Sequence, residues 1–247
     1  MGIIAFNRRV SAYVDRLTPE DMRVDGNKDF NSRIAPQLVE RGMKIYDLGG
    51  GSRPFLDPAS KAANDITVIG LDIAAEELLS APPGSYNDII VADLAEFRGN
   101  GDGDLAICQA TLEHVRDVTN AISGIASTLK PGGRAAIFVP CRNAAFARLN
   151  LLLPESFKRK ILFSFFPEKA EGHDGFPAFY DNSTPSRMIA IADRAGMDVE
   201  QSRYYWISSY FFSVFPLYLF WRAWTRVARS VVGRDMCETF MLVLKKR

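Results

Sequence analysis

The chain has 247 residues, 47% of them hydrophobic and 24% charged, with a formal net charge of +1. That length supports one α/β domain spanning 1–247 with a sizeable core, and the near-zero charge argues against a strong general affinity for nucleic acid. The three cysteines, Cys108, Cys141 and Cys237, are far apart and embedded in apolar runs, which points to reduced core thiols and no metal site.

Residues 1–42 read as a helical prelude. Ile3, Ile4, Phe6, Val10, Tyr13, Val14 and Leu17 fall at helical spacing, 19–29 is a polar connector, and a second helix is expected over 31–41. Residues 1–10 lack the long apolar stretch of a secretory signal, so the expected compartment is the cytoplasm.

The organising stretch is Met43-Lys44-Ile45-Tyr46-Asp47-Leu48-Gly49-Gly50-Gly51-Ser52. Ile45, Tyr46 and Leu48 suit a buried parallel strand. Three glycines then permit a tight turn and close backbone approach to a ligand, and a helix is expected over 52–63, with Pro54 near its start. The turn is not a dinucleotide fingerprint, because Pro54 stands where the last glycine is needed, and it lacks the Walker A lysine. Asp47, two residues before the first glycine, would repel a pyrophosphate and suits a ligand with a cationic amino-acid end.

Further apolar runs follow, and two more of them lead into an acid. Residues 66–72 end at Asp72, at roughly the offset at which an acid reaches a ribose, and 89–94 contain Asp93 and Leu94. The loop 99–103 carries three glycines; 104–110 is the fourth strand, running through Gln109 and Ala110 into Thr111-Leu112-Glu113-His114-Val115. An amphipathic helix over 117–129 stops at Lys130-Pro131-Gly132-Gly133, before a strand over 135–140. This alternation implies a mainly parallel sheet covered on both faces.

Residues 141–182 break the rhythm with an apolar, basic stretch and then Gly172-His173-Asp174-Gly175. Thr184 is placed to cap a helix over 185–195, with strands at 197–206 and 236–245. Between those strands, 204–221 has no charged residue and is rich in Phe, Tyr and Trp, while 203–247 hold eight Lys/Arg against two Asp/Glu. The flanking strands must return to one sheet and Pro216 would interrupt a span. Residues 207–232 are therefore expected to form an interfacial helix or hairpin on an anionic membrane surface. A core helix or a homodimer interface are the alternatives.

These motifs together resemble the class I S-adenosylmethionine-dependent methyltransferases, in the quinone-biosynthesis-like, methyltransferase type 11 branch. Asp47-Leu48-Gly49-Gly50-Gly51-Ser52 looks like the first family motif, Gly70-Leu71-Asp72-Ile73 the second and Val91-Ala92-Asp93-Leu94 the third. Residues 110–115 look like the fourth, and Leu129-Lys130-Pro131-Gly132-Gly133 like the turn before strand five. The likeness covers roughly 40–140, and Arg53-Pro54 stand where the family often has a small residue.

The resemblance implies a Rossmann-like three-layer α/β sandwich: a mostly parallel seven-stranded sheet with an antiparallel last strand, plus helical insertions. In it, 43–140 would form the cofactor-binding core, 1–42 would cover the cofactor, shape the acceptor pocket or close one sheet edge, and 141–182 would be an acceptor-side insertion. The implied cofactor is S-adenosyl-L-methionine. Asp47 would lie near its methionine end over the turn of Gly49, Gly50 and Gly51. Asp72 would accept from the ribose hydroxyls, Ile73 beside it would also meet the cofactor, Asp93 would take the adenine amino group with Leu94 against the ring, and Gln109 and Ala110 would line the reactive side.

For an oxygen acceptor, a base is needed. The candidates are His114 and His173, with Asp174 orienting the latter; a positioning role for His114 stays open, and Tyr180 and Asp181 are weaker acceptor contacts. The expected activity is O-methylation of an amphiphilic, lipid-linked or glycan-type acceptor at the inner face of the membrane. N- or C-methylation of a small metabolite, or a non-catalytic protein binding membrane or partner, are the alternatives. A nicotinamide-dependent oxidoreductase is disfavoured, since no tyrosine has a lysine four residues on.

Overall fold

The computed structural model describes residues 2–153 and 177–247. Seven strands make one sheet: β1 Lys44–Leu48, β2 Thr67–Asp72, β3 Asp88–Val91, β4 Gly103–Gln109, β5 Leu129–Pro140, β6 Met197–Tyr205 and β7 Thr239–Lys246. Their order across the sheet is β3-β2-β1-β4-β5-β7-β6. Six strands run parallel, and β7 is antiparallel to β5 and β6. The order reverses beside β1, which opens a crevice at the carboxyl tips of β1 and β4.

Period-two alternation divides each strand between two buried faces. Tyr46, Leu48, Ala106, Cys108, Ile137 and Leu242 meet the helices Val118–Thr128 and Pro185–Arg194 on one face. Ile45, Ile107, Phe138 and Met241 meet Phe30, Ile34 and Ala35 on the other. The N-terminal segment thus closes one layer, through a helical stretch that begins at Gly26 and tightens into a 3-10 turn over Ala35–Leu38, at Pro36. All three cysteines are buried and free.

Several local expectations change. The helix expected over 52–63 forms only at Pro58–Ala63, because Asp57 caps it through Ala59 N and Ser60 N and the Phe55 N–H is already spent on Asp47. The stop at 130–133 is a bulge inside β5: Leu129 pairs with Gly103, and pairing resumes at Arg134 with Leu105. Pro216 lies in the first turn of the helix Phe215–Val231 instead of interrupting it.

The N-terminal helix Ile3–Asp15 departs most from its pattern. Its buried residues are Ser11 and Asp15, while Ile3, Phe6, Tyr13 and Leu17 stand exposed. Asp15 is the cause. It accepts hydrogen bonds from the Tyr218 hydroxyl and from Arg222 Nε, both at 2.7 Å. Arg222 is itself buried and also donates to the carbonyls of Trp206 and Met22. This buried ion pair turns the Ser11 and Asp15 face of the first helix inward and leaves Ile3, Phe6, Tyr13 and Leu17 outside, while Val14 packs against the cluster of Phe211, Tyr218 and Trp221.

No helix among the described residues is long and apolar enough to cross a membrane.

Candidate active site

The tip of β1 is built around a buried acid. Asp47 accepts from Phe55 N at 2.8 Å, and a Cβ on Gly50 would come within 2.5 Å of its carboxylate. Burial raises its pKa to about 6, partly countered by the hydrogen bond from Phe55 N and by the nearby Tyr86 hydroxyl. Asp47 therefore shapes the glycine turn from beneath. Tyr86 braces the same turn by donating to the Gly51 carbonyl at 2.9 Å.

Gly49 and Gly51 both adopt positive φ, +77° and +51°, which L side chains rarely tolerate. A Cβ on Gly49 would collide with Thr111, just past β4, and the Thr111 hydroxyl donates to the Leu48 carbonyl at 3.2 Å. The tips of β1 and β4 are thereby tied together. A Cβ on Gly51 would come within 3.2 Å of Asp72 Oδ2, so the turn lies directly against the second acid.

Asp72, at the end of β2, accepts from Ala74 N at 3.0 Å. Partial burial, with Glu77 adding repulsion, raises its pKa. Glu77 is held by the Ser52 hydroxyl at 2.8 Å. Beside Asp72, Ile73 is 59% exposed: a large apolar side chain in the open at a strand tip. Asp93 lies just past β3 and accepts from Ala95 N at 2.8 Å. Leu94 is packed into the core with Leu71 and Ile122, so the exposed apolar surface at these tips comes from Ile73 and from Val91 at the end of β3.

Ala110 has φ +52°, a strained conformation for a residue with a Cβ, and such strain gathers at functional sites. Gln109 Nε2 donates to Asn27 Oδ1 at 2.8 Å, bringing the N-terminal segment to the mouth of the crevice. Arg53 is exposed.

The acceptor side starts at Glu113 and His114. His114 Nδ1 lies 3.1 Å from the Pro177 carbonyl and its Nε2 lies 3.9 Å from Glu113 Oε1. A carbonyl oxygen only accepts, so Nδ1 carries the hydrogen and a neutral ring leaves Nε2 as acceptor. Glu113 is buried, its Oε2 has no hydrogen-bond partner among the described residues, and burial raises its pKa to about 7. Tyr180 is buried in the core. Asp181 accepts from Val118 N at 3.1 Å and so caps the helix behind it. Neither is an open acceptor contact. His173 and Asp174 lie outside the described residues. Glu77 and Tyr86 are functional neighbours that sequence reasoning misses, while Thr111 and Glu113 lie within the 110–115 motif without roles of their own being read from it.

The residues at the carboxyl edge fit an adenosyl ligand: carboxylates for a ribose diol and an exocyclic amine, an exposed apolar side chain for a flat ring, and a side-chain-free turn. The family description of a methyltransferase domain matches residues 20–170. The chain belongs to the class I S-adenosylmethionine-dependent methyltransferases.

Among curated relatives, the ubiquinone biosynthesis O-methyltransferase of Xanthomonas axonopodis pv. citri is 27% identical over 175 residues, 68% of this chain and 67% of that protein. The protein of the same name from Bordetella avium is 25% identical over 166 residues, 64% and 63% of the two lengths. The matched part spans about two thirds of each relative. Two solved structures share the fold. A putative sarcosine dimethylglycine methyltransferase from Galdieria sulphuraria superposes with a TM-score of 0.56 at 15% identity, covering 89% of this chain and 84% of that one. Haemonchus contortus phosphoethanolamine N-methyltransferase 2, solved with S-adenosyl-L-methionine, gives 0.53 at 15% identity, covering 100% and 60%. This methyltransferase uses S-adenosyl-L-methionine as its cofactor.

Proposed function

We propose that this methyltransferase methylates an oxygen of an amphiphilic acceptor, lipid-linked or glycan-type, working from the cytoplasm at the inner face of a membrane. The observation that carries the cofactor half is the contact of the Gly51 turn with the Asp72 carboxylate on the neighbouring strand tip. When bound, the cofactor supplies a methyl group already activated by a sulfonium. Asp72 accepts from the ribose hydroxyls, Ile73 covers the adenine ring and Asp93 receives its amino group. Gly49, Gly50 and Gly51 lie beneath the methionine end, with Asp47 holding their conformation. Gln109 and the strained Ala110 line the reactive side.

The chain's remaining work is to hold the acceptor oxygen, take its proton and exclude water. His114 suits the proton acceptor: with the hydrogen of a neutral ring on Nδ1, facing the Pro177 carbonyl, Nε2 is its basic nitrogen. Glu113 Oε1 lies 3.9 Å from that same Nε2, placed to stabilise the ring once it is charged. The choice of oxygen is supported by the O-methyltransferase relatives. The choice of an amphiphile is supported by the exposed apolar helix Phe215–Val231, which also supports membrane contact through 207–232.

The test is to incubate the protein and cofactor with a membrane extract and search by mass spectrometry for a compound gaining one methylene. A lipid-soluble phenol or alcohol that gains it, with loss in His114→Asn, supports the reading. Methylation confined to amines of water-soluble metabolites would replace it.

A further inference from the structure

Most of the large apolar side chains that stand exposed among the described residues lie on three helices: Ile3–Asp15, Ala145–Leu152 and Phe215–Val231. On the first and just past its end, Ile3, Phe6, Tyr13 and Leu17 are spaced to share one face. On the last, Leu217, Phe220, Trp224, Val227 and Val231 recur every three or four residues; Phe220 is 72% exposed and Val231 79%. Such stripes mark a surface that meets something apolar.

The two longer helices are joined. Asp15 is locked to Tyr218 and Arg222, and Arg8 Nε donates to Ser213 Oγ at 3.2 Å. The buried bonds of Asp15 fix their inward faces against each other, the Arg8 bond adds a part-buried tie just before the second helix, and both apolar stripes are left over.

Charge decides the occupant. Within Ile3–Asp15 the one acid is Asp15, buried on Arg222, and Phe215–Val231 contains no acid. Arg9, Arg16 and Arg226 are exposed. Asp21, in the connection after the first helix, is paired with Arg229 at 2.6 Å. Apolar stripes with arginines and no exposed carboxylate on the same helices match an anionic lipid surface.

Position adds to this. β6 runs parallel to β5, and the segment carrying the aromatic helix leaves β6 after Tyr205, where Tyr205 and Pro140 both pair with Thr239. That is the carboxyl edge of the sheet, the edge that holds the crevice.

We infer that the N-terminal helix and Phe215–Val231 together form a docking face for an anionic phospholipid bilayer, beside the crevice mouth. The first helix is then half of the membrane contact, in addition to the 207–232 segment.

The test is co-sedimentation of the full chain with vesicles of phosphatidylglycerol and phosphatidylcholine, against phosphatidylcholine alone. The expected result is pelleting with the anionic vesicles only, weakened about tenfold by Phe220→Ser and clearly by Phe6→Ser. Arg226→Glu should also reduce it, while Val199→Ser, an exposed apolar change on β6, should not. The altered side chains are exposed, so unchanged circular dichroism and melting temperature serve as the folding control.

Absence of vesicle binding would overturn the inference, as would equal pelleting of Phe6→Ser and wild type. A dimer in lipid-free buffer that Phe220→Ser dissociates would overturn it in favour of a second copy of the chain. Vesicle binding needs no cofactor, so it can fail while the methyl-transfer reading stands.

Discussion

Replacing Glu113 by Gln should change how stability depends on pH. The carboxyl is buried, with one oxygen lacking a partner among the described residues, and its pKa rises from 4.5 to about 7. The folded chain therefore binds this proton more tightly than the unfolded chain. Its stabilising effect is complete below about pH 4.5 and is lost as pH climbs through 7. At about 1.4 kcal/mol per pH unit, the loss amounts to about 3 kcal/mol.

The amide introduced by Glu113→Gln cannot ionise and escapes that loss. It adds a constant offset, since a buried N–H₂ without an acceptor carries its own cost, so the readout is the slope with pH. Urea unfolding at pH 5, 6, 7 and 8 should show the variant gaining on wild type by about 3 kcal/mol across the range, then levelling off. Asp47 and Glu238, which also have raised pKa values, are present in both proteins and cancel. His114 and the Cys108 thiol are the titratable neighbours, and His114→Asn repeated in both backgrounds isolates the histidine. A stability difference that stays flat from pH 5 to 8 would refute the reasoning.

Other outcomes follow from single contacts. Gly49→Ala puts a Cβ at positive φ and against Thr111, and should cost about 2–4 kcal/mol in the same denaturation assay; an unchanged midpoint would mean that the turn is looser than described. Arg222→Leu strands Asp15 and frees two carbonyls, so it should destabilise by about 3–5 kcal/mol, whereas the nearby exposed Trp224→Ser should leave the midpoint within about 0.5 kcal/mol. His114→Asn should slow methyl transfer at least about a hundredfold while leaving cofactor affinity unchanged; full activity would move the base elsewhere.

The part of the fold nearest the cofactor is legible in the sequence because its signals are local. Each of β1 and β2 is an apolar run ending at or beside an acid, and glycine follows β1 directly, so the strands, their order of appearance and the turn can be read from neighbours in sequence. What escapes depends on distant partners. The helix expected over 52–63 is shortened by the Phe55 N–H going to Asp47. Asp181 looks like an open carboxylate, and it caps a helix 63 residues earlier. The apolar spacing of the first helix predicts its period but not which side turns in, because an ion pair across 207 residues decides that. Glu113 stands in the 110–115 motif, yet only its burial reveals an unusual carboxyl.

The cradle at the carboxyl edge is tested most directly by titrating S-adenosyl-L-methionine into the protein by calorimetry, with Asp72→Ala beside wild type. The account predicts one site per chain, and about a hundredfold weaker binding in the variant from the loss of charge-assisted bonds to the ribose. Equal affinity in the two proteins, or no heat at all with folded wild type, would contradict it.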